Sequence, residues 1–257
     1  MPDEPVFTIE ELTKKLHEVR TIGWVANARP GNAGGVGNTL EDLLGIKENN
    51  LRIPDYGEYE LKARRKDTSS LVTLFHCEPT PKRVVVQKLL PLWGWKHQTI
   101  AGERSFRQTI SSTRFTDRGF KVEVDRQADV VSIDFDISKV ELHHSEWKSQ
   151  VLAIPPEEVR ILRPAWTFEK LEHVIKRKLN SLIMVIADVR RTGSTEEFLS
   201  REAKLLQKPS LERFLHAIEH DIVLVDFDAR TGHNHGTKFR IRQDGWATLY
   251  EDQIALL

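Results

Sequence analysis

The chain has 257 residues, 39% hydrophobic and 30% charged, which excludes a disordered polymer and leaves ample length to bury a core in one large domain or two lobes. Its 38 basic and 38 acidic side chains cancel, so the net charge does not by itself point to a nucleic-acid binder. There is no apolar run of the roughly 20 residues that span a bilayer, no basic-then-apolar signal order in the acidic N-terminus, and a single thiol, Cys77, which can form neither an internal disulfide nor a Cys-rich zinc site; a cytoplasmic protein without a membrane partner is expected.

Thr8-Ile9-Glu10-Glu11 has the form of a capping box. It predicts an amphipathic helix to about Arg20 with Leu12, Leu16 and Val19 on one face. Four glycines fall within Gly31 to Gly37, a run that lets backbone approach a ligand closely. No Gly-Lys-Ser/Thr follows, so this is not a Walker A loop. Asn38-Thr39 then caps a short helix, Leu40 to Leu44, stopped by Gly45 and carrying Glu41. Leu51 to Ile53 reads as a short strand ending at Pro54-Asp55. Tyr59 to Ala63 reads as the next strand, with Glu60 and Lys62 on one face and Tyr59, Leu61 and Ala63 facing a core.

Ser70 to Cys77 is a further strand, and Arg83 to Leu90 fits strand or helix, with helix preferred. Trp93 to Thr109, Phe120 to Val124 and Ala128 to Phe135 read as strands of a hairpin-rich sheet, and His143 to Arg160 as irregular. Helical spacing returns from Thr167 to Leu179. Ser181 to Val189 is a continuous apolar run, expected as a buried strand. Glu196 to Leu206 and Leu211 to His220 read as helices, Ile222 to Asp228 as a second buried strand, Thr231 to Gly236 as a tight turn, and Lys238 to Arg242 as a strand with one basic face. Basic clusters at Lys62 to Lys66, Arg160 to Lys178 and Lys238 to Arg242 permit local phosphate contacts in a neutral chain. No linker separates two domains, so one unit, 1–257, is expected, with interleaved lobes of approximately 1–160 and 161–257.

The chemistry concentrates between Gly31 and Arg65. Phosphodiester hydrolysis needs a divalent cation, a positioned water and stabilisation of negative charge on phosphorus oxygens. Mg²⁺ prefers oxygen ligands and often takes only one or two protein carboxylates. Asp55 and Glu60 supply them. Lys62, beside Glu60, can touch the scissile phosphate and help lower the pKa of the attacking water, and Glu41 can hold a second metal or orient the first. An isolated Asp plus Glu-x-Lys is more often a solvated strand face. Here the glycine loop, the Glu-bearing helix, Pro-Asp and Glu-Leu-Lys coincide.

GNAGGVGNTLEDLLGIKENN, followed by Pro54-Asp55 and Glu60-Leu61-Lys62, resembles the MvaI/BcnI-type restriction endonucleases, relatives of the strand-nicking repair enzyme MutH within the PD-(D/E)xK nuclease superfamily. The resemblance is dense over Gly31 to Pro79 and returns at Asp226 to Arg242. It implies an α/β mixed-sheet, restriction-endonuclease-like fold and a MutH-like two-lobed clamp, with a monomer gripping duplex DNA. It also implies Mg²⁺ held by Asp55 and Glu60, Lys62 as the phosphate- or water-polarising group, and Glu41 as the helix glutamate of MutH-like enzymes. The implied target is a short, nearly palindromic CC-N-GG site nicked on each strand in turn, with a cognate DNA methyltransferase protecting host DNA.

For base reading, Asp228 and Arg230 stand two apart at a strand end. A carboxylate can accept from cytosine N4 and an arginine can bond guanine O6 and N7, although the same pair can be a surface ion pair. Lys238, Arg240 and Arg242 share one face and contact bases or phosphates. His233 and His235, in the predicted turn, contact the minor groove or phosphates by resemblance. His76 either reaches the central base pair or is structural. His143-His144 is assigned to plain surface. A strand-nicking repair enzyme and a non-catalytic DNA-binding protein of nuclease fold are the alternatives.

Overall fold

The structure, a computed structural model, describes residues 8–29, 35–45, 59–66, 68, 70–155, 157 and 163–257. The chain forms two compact units. Unit 1 combines Met1–Ser70, Leu179–Pro209 and Tyr250–Leu257, and unit 2 combines Leu71–Lys178 and Ser210–Leu249. The chain crosses between them four times, where the sequence placed a boundary near residue 160.

Unit 1 is a mixed sheet with two helices on one face. Helix α1 (Ile9–Ile22) starts at the expected capping box: Thr8 Oγ1 accepts from the Glu11 amide at 3.2 Å, and Glu11 accepts from the Thr8 amide at 2.9 Å. The sheet runs β1 (Val25–Ala26), β10 (Thr195–Pro209), β9 (Ser181–Thr192), β2 (Tyr59–Arg65), with β13 (Tyr250–Ala255) also paired to β10. Strand β2 lies parallel to β9, whereas β9 and β10 are antiparallel, so the sheet is mixed, as expected. Leu12, Leu16 and Val19 of α1, Leu40 and Leu44 of helix α2 (Gly35–Leu44), Leu61, Ile183, Val185, Ala203 and Leu205 form one core cluster. Burying side chains of this size stabilises by roughly 1.5–3 kcal/mol each.

Two unit 1 expectations are corrected. The segment Glu196 to Leu206, expected as a helix, lies within strand β10. Its Glu, Leu, Ala and Lys content favours helix locally, but a hairpin ladder with β9, closing over Gly193 at φ 61°, and a second ladder with β13 satisfy its backbone on both edges. Helix α2 begins at Gly35, so Asn38 and Thr39 are interior residues instead of caps. Gly35 is required by packing, because a Cβ there would lie 2.7 Å from the Asn27 side chain. Gly45, at φ 72°, ends the helix as expected. The proposed strand Leu51 to Ile53 lies outside the described residues.

Unit 2 holds a sheet of order β3 (Leu71–His76), β12 (His233–Arg242), β11 (Val223–Arg230), β5 (Arg104–Ile110), β4 (Trp95–Lys96). A second sheet comprises β6 (Arg118–Asp125), β7 (Val130–Val140) and β8 (Ala165–Thr167). Val85–Trp93 is a π-helical segment containing Pro91. Helices α3 (Ser145–Leu152), α4 (Phe168–Lys178) and α5 (Leu211–Glu219) complete the unit. Helix α3 corrects the irregular reading of His143 to Arg160 over its own span. An aromatic core runs through Phe214, Phe239, Trp166, Phe227, Phe106 and Phe120. The indole N–H of Trp166 donates to Cys77 O and that of Trp147 to Trp93 O, both at 2.9 Å, so these buried polar tips are satisfied.

Candidate active site and nucleic-acid interface

Strand β2 forms because YELKARR alternates between a core face and a polar face, and its parallel ladder with β9 fixes the register with Glu60 opposite Leu182 and Lys62 opposite Met184. Leu61 is 4% exposed and packs with Leu40 and Leu44 of α2, joined by Tyr59 and Ala63. Glu60 and Lys62 therefore project from the opposite face. Lys62 Nζ lies 2.6 Å from Glu60 Oε1, with the two side chains 39% and 40% exposed. This is the expected arrangement of carboxylate and ammonium side by side.

Glu41 sits on α2, half-buried, with its carboxylate over Gly37: a Cβ at Gly37 would lie 3.9 Å from Glu41 Oε1. Helix α2 covers the Leu61 side of β2, so Glu41 and the Glu60–Lys62 pair start from different sides of the sheet. Asp55 lies outside the described residues.

One neighbour was missed. Tyr250, at the start of β13, is 1% exposed, and its hydroxyl makes no hydrogen bond among the described residues. Burial, and secondarily the negative charge of Glu60, push its pKa above the ordinary phenol range. No sequence pattern links Tyr250 to Glu60, because 190 positions of chain and, in the sheet, the two strands β9 and β10 separate them, and only sheet pairing brings β13 into unit 1.

Unit 2 gathers the proposed DNA-reading residues on one sheet face. In β11, Val225, Phe227 and Ala229 are buried, and Asp226, Asp228 and Arg230 alternate with them; in β12, Thr237, Phe239 and Ile241 are buried, and Lys238, Arg240 and Arg242 alternate. Register places Lys238 opposite both Asp226 and His76, and Asp228 opposite Arg107. Lys238 Nζ lies 2.8 Å from one Asp228 oxygen, and Arg107 Nε lies 2.8 Å from the other. Thr109 Oγ1 donates to Asp226 at 2.7 Å, and Arg240 Nη1 lies 3.8 Å from the second Asp226 oxygen. Burial raises the Asp228 pKa, but the Lys238 hydrogen bond and the Lys238, Arg107 and His235 charges outweigh it and hold the carboxyl below its usual range.

Arg230 is paired with Glu103 at 2.7 Å and not with Asp228. His76 is exposed, packed where a Cβ on Gly236 would come within 3.1 Å of its ring. Arg242 is exposed at the strand end and donates to Asp221 O. His233 and His235 are corrected from a turn to a strand. The β11–β12 hairpin closes over Thr231 and Gly232 alone, with Arg230 opposite His233 and Gly232 at φ 72°. The two imidazole rings stand 4.2 Å apart. Arg107, Thr109 and Glu103 were also missed. Alternation in RSFRQTI puts Arg107 and Thr109 on one face, but only the β5–β11 pairing shows what that face adjoins.

A mixed sheet backed by helices, presenting a glutamate–lysine pair from a strand that ends the sheet among the described residues, defines a restriction-endonuclease-like nuclease. A solved complex of the restriction endonuclease MvaI with cognate DNA substrate matches with a TM-score of 0.70 and 25% identity, covering 96% of this chain and 97% of that one. MvaI in the absence of DNA matches with a TM-score of 0.62 and 23% identity over 100% of both chains. The family model of the MvaI/BcnI restriction endonuclease family matches residues 13–250, and the chain belongs to that family. It is a type II site-specific deoxyribonuclease. Among curated proteins nothing matches.

Proposed function

We propose that the enzyme cuts both strands of duplex DNA at a short, GC-rich, nearly palindromic site of the CC-N-GG kind, as a Mg²⁺-dependent monomer that nicks each strand in turn. The observation that carries this reading is the Glu60–Lys62 pair, 2.6 Å apart on the open face of β2. A half-exposed carboxylate is a hard oxygen donor that suits Mg²⁺, so Glu60 fits the ion, with Asp55 as the second ligand. When bound, Mg²⁺ supplies charge neutralisation and a water of lowered pKa.

Lys62 does the rest at this position. Its ammonium, now engaged by Glu60, is placed to donate to a phosphate oxygen as negative charge develops there. The same cation, beside the attacking water, favours the deprotonated form. Glu41 is assigned a supporting role from α2.

Sequence choice is assigned to the polar face of unit 2. Asp228 is held ionised by Lys238 and Arg107. A carboxylate has about four lone-pair sites, so capacity remains to accept from cytosine N4. Arg230 exchanges Glu103 for guanine O6 and N7. Lys238, Arg240 and Arg242 supply further base or phosphate contacts, and His76, His233 and His235 line the same sheet or its hairpin end. In the cytoplasm such an enzyme requires a cognate DNA methyltransferase to protect host sites.

Digestion of a sequenced plasmid with Mg²⁺, followed by end-mapping, tests the reading. Discrete EDTA-sensitive fragments ending at one CC-N-GG-type site are expected. Accumulation of open circles that never become linear, or cleavage untouched by EDTA, would overturn it.

A further inference from the structure

Outside the nuclease site, unit 2 carries a cluster of ligating side chains. The β6–β7 pairing sets Arg118 opposite Val140, and the Glu141 amide donates to Asp117 O at 2.9 Å. The chain before β6 therefore lies against the chain after β7, where Leu142–His144 forms a single 3-10 turn leading into α3. One donor atom each from Asp117, His143 and His144 falls within 4.8 Å of the others. His144, expected as plain surface, is 15% exposed, and its Nε2 lies 2.7 Å from Asp117 Oδ2. His143 is exposed, with its ring centroid 3.9 Å from that of His144.

We propose that Asp117, His143 and His144 form a binding site for a zinc-type transition metal ion on unit 2. The two imidazoles are borderline donors, and a two-histidine, one-carboxylate set favours zinc over magnesium or calcium. A zinc ion bonds nitrogen and oxygen at about 2.0–2.2 Å, leaving neighbouring ligand atoms roughly 3.3 Å apart. Metal binding would open the Asp117–His144 contact from its present 2.7 Å and draw His143, within 4.8 Å, toward the same point. Metals bind imidazole in its neutral form, through one ring nitrogen.

The surroundings are those of a supported site. Gln108 Nε2 donates to the other Asp117 oxygen at 2.8 Å, turning Oδ2 toward the histidines. Glu141 Oε2 lies 3.5 Å from His143 Nδ1 and can orient that ring. Carboxylate and amide partners of this sort hold ligands in metal sites. Arg118 is the opposing charge, with Nη1 3.4 Å from Asp117 Oδ2. Its guanidinium stacks 4.0 Å over the Trp95 ring, so it is anchored by the indole as well as by the carboxylate. An open cavity of about 410 Å³, lined by Asp117, His143, His144 and Glu146, leaves room for water as a further ligand.

The test titrates the full-length chain with Zn²⁺ by calorimetry and with Co²⁺ by visible absorption, in buffer containing excess Mg²⁺. One equivalent is expected to bind, with the absorption of a nitrogen-ligated cobalt ion and a Zn²⁺-dependent rise in Tm. Loss of outer partners costs metal sites about 10–100-fold in affinity; Gln108→Ala should fall in that range and His143→Ala beyond it. His143 is exposed, so its truncation leaves the fold intact, which the metal-free Tm checks. Glu60→Ala should bind Zn²⁺ as the parent does, which separates this site from the nuclease site and makes the result independent of DNA cleavage. Equal Zn²⁺ affinity in the parent and His143→Ala, or loss of the cobalt spectrum in Glu60→Ala alone, would overturn the proposal.

Discussion

On β2 of unit 1, Glu60 and Lys62 face each other at 2.6 Å on a strand side that is about 40% open. On the polar face of unit 2, Asp228 is gripped from both sides by Lys238 and Arg107, and Asp226 is hydrogen-bonded by Thr109 with Arg240 and Lys238 near its second oxygen. The first arrangement is a single pair whose partners can be exchanged for other ligands. The second is a lattice in which each carboxylate is fixed before any ligand arrives. The proposed roles match this difference, since chemistry at a phosphate needs a donor free to move onto developing charge, whereas base discrimination needs acceptors held in place so that a mismatch leaves them unsatisfied.

The sharpest way to break this contrast is at Lys62. Lys62→Ala should reduce cleavage by at least ~10²–10³-fold, the typical loss for one transition-state donor, while gel-shift binding to duplex DNA persists. Wild-type cleavage by this variant would remove Lys62 from the chemistry.

A smaller effect is expected on the polar face of unit 2. Asp228→Asn removes a charge-assisted acceptor and should cost roughly 1–3 kcal/mol of discrimination at one base pair, measured as the ratio of kcat/KM on cognate and single-substituted sites. The pH dependence of folding gives an independent check. The Asp228 pKa is depressed in the folded state, so its contribution to stability is present above the ordinary carboxylate range and is lost as pH falls through the folded value. The Tm gap between parent and Asp228→Asn should therefore be widest near neutrality and shrink below about pH 4. A gap that widened in acid would contradict the assigned partners.

The smallest effect is expected at Tyr250. Its hydroxyl is buried without a hydrogen-bond partner among the described residues. Tyr250→Phe should leave stability unchanged or raise it by up to ~1 kcal/mol, because a buried unmatched polar group is a cost. A loss of several kcal/mol in chemical denaturation would mean that the hydroxyl is engaged after all.

Local signals carried far. The capping box at Thr8, the apolar run Ser181 to Val189 and the alternation of Glu60-Leu61-Lys62 were each readable because a backbone period or a cap is written in adjacent residues. Strand β10 reads as a helix in sequence because EEFLSREAKLL has helical propensity, and its strand state depends on β9 and β13, which adjoin it only in the folded sheet. His144 was misread because Asp117, its partner, is 27 residues away across the β6–β7 pairing.

By itself the sequence determined the mixed-sheet nuclease class and the side-by-side placement of Glu60 and Lys62, since strand alternation with period two admits no other outcome for residues two apart. Tertiary structure alone decided which charges meet. Arg107 with Asp228 and Glu103 with Arg230 both depend on strand order and register. Those are set by long-range pairing and core burial, which no local window of the chain contains.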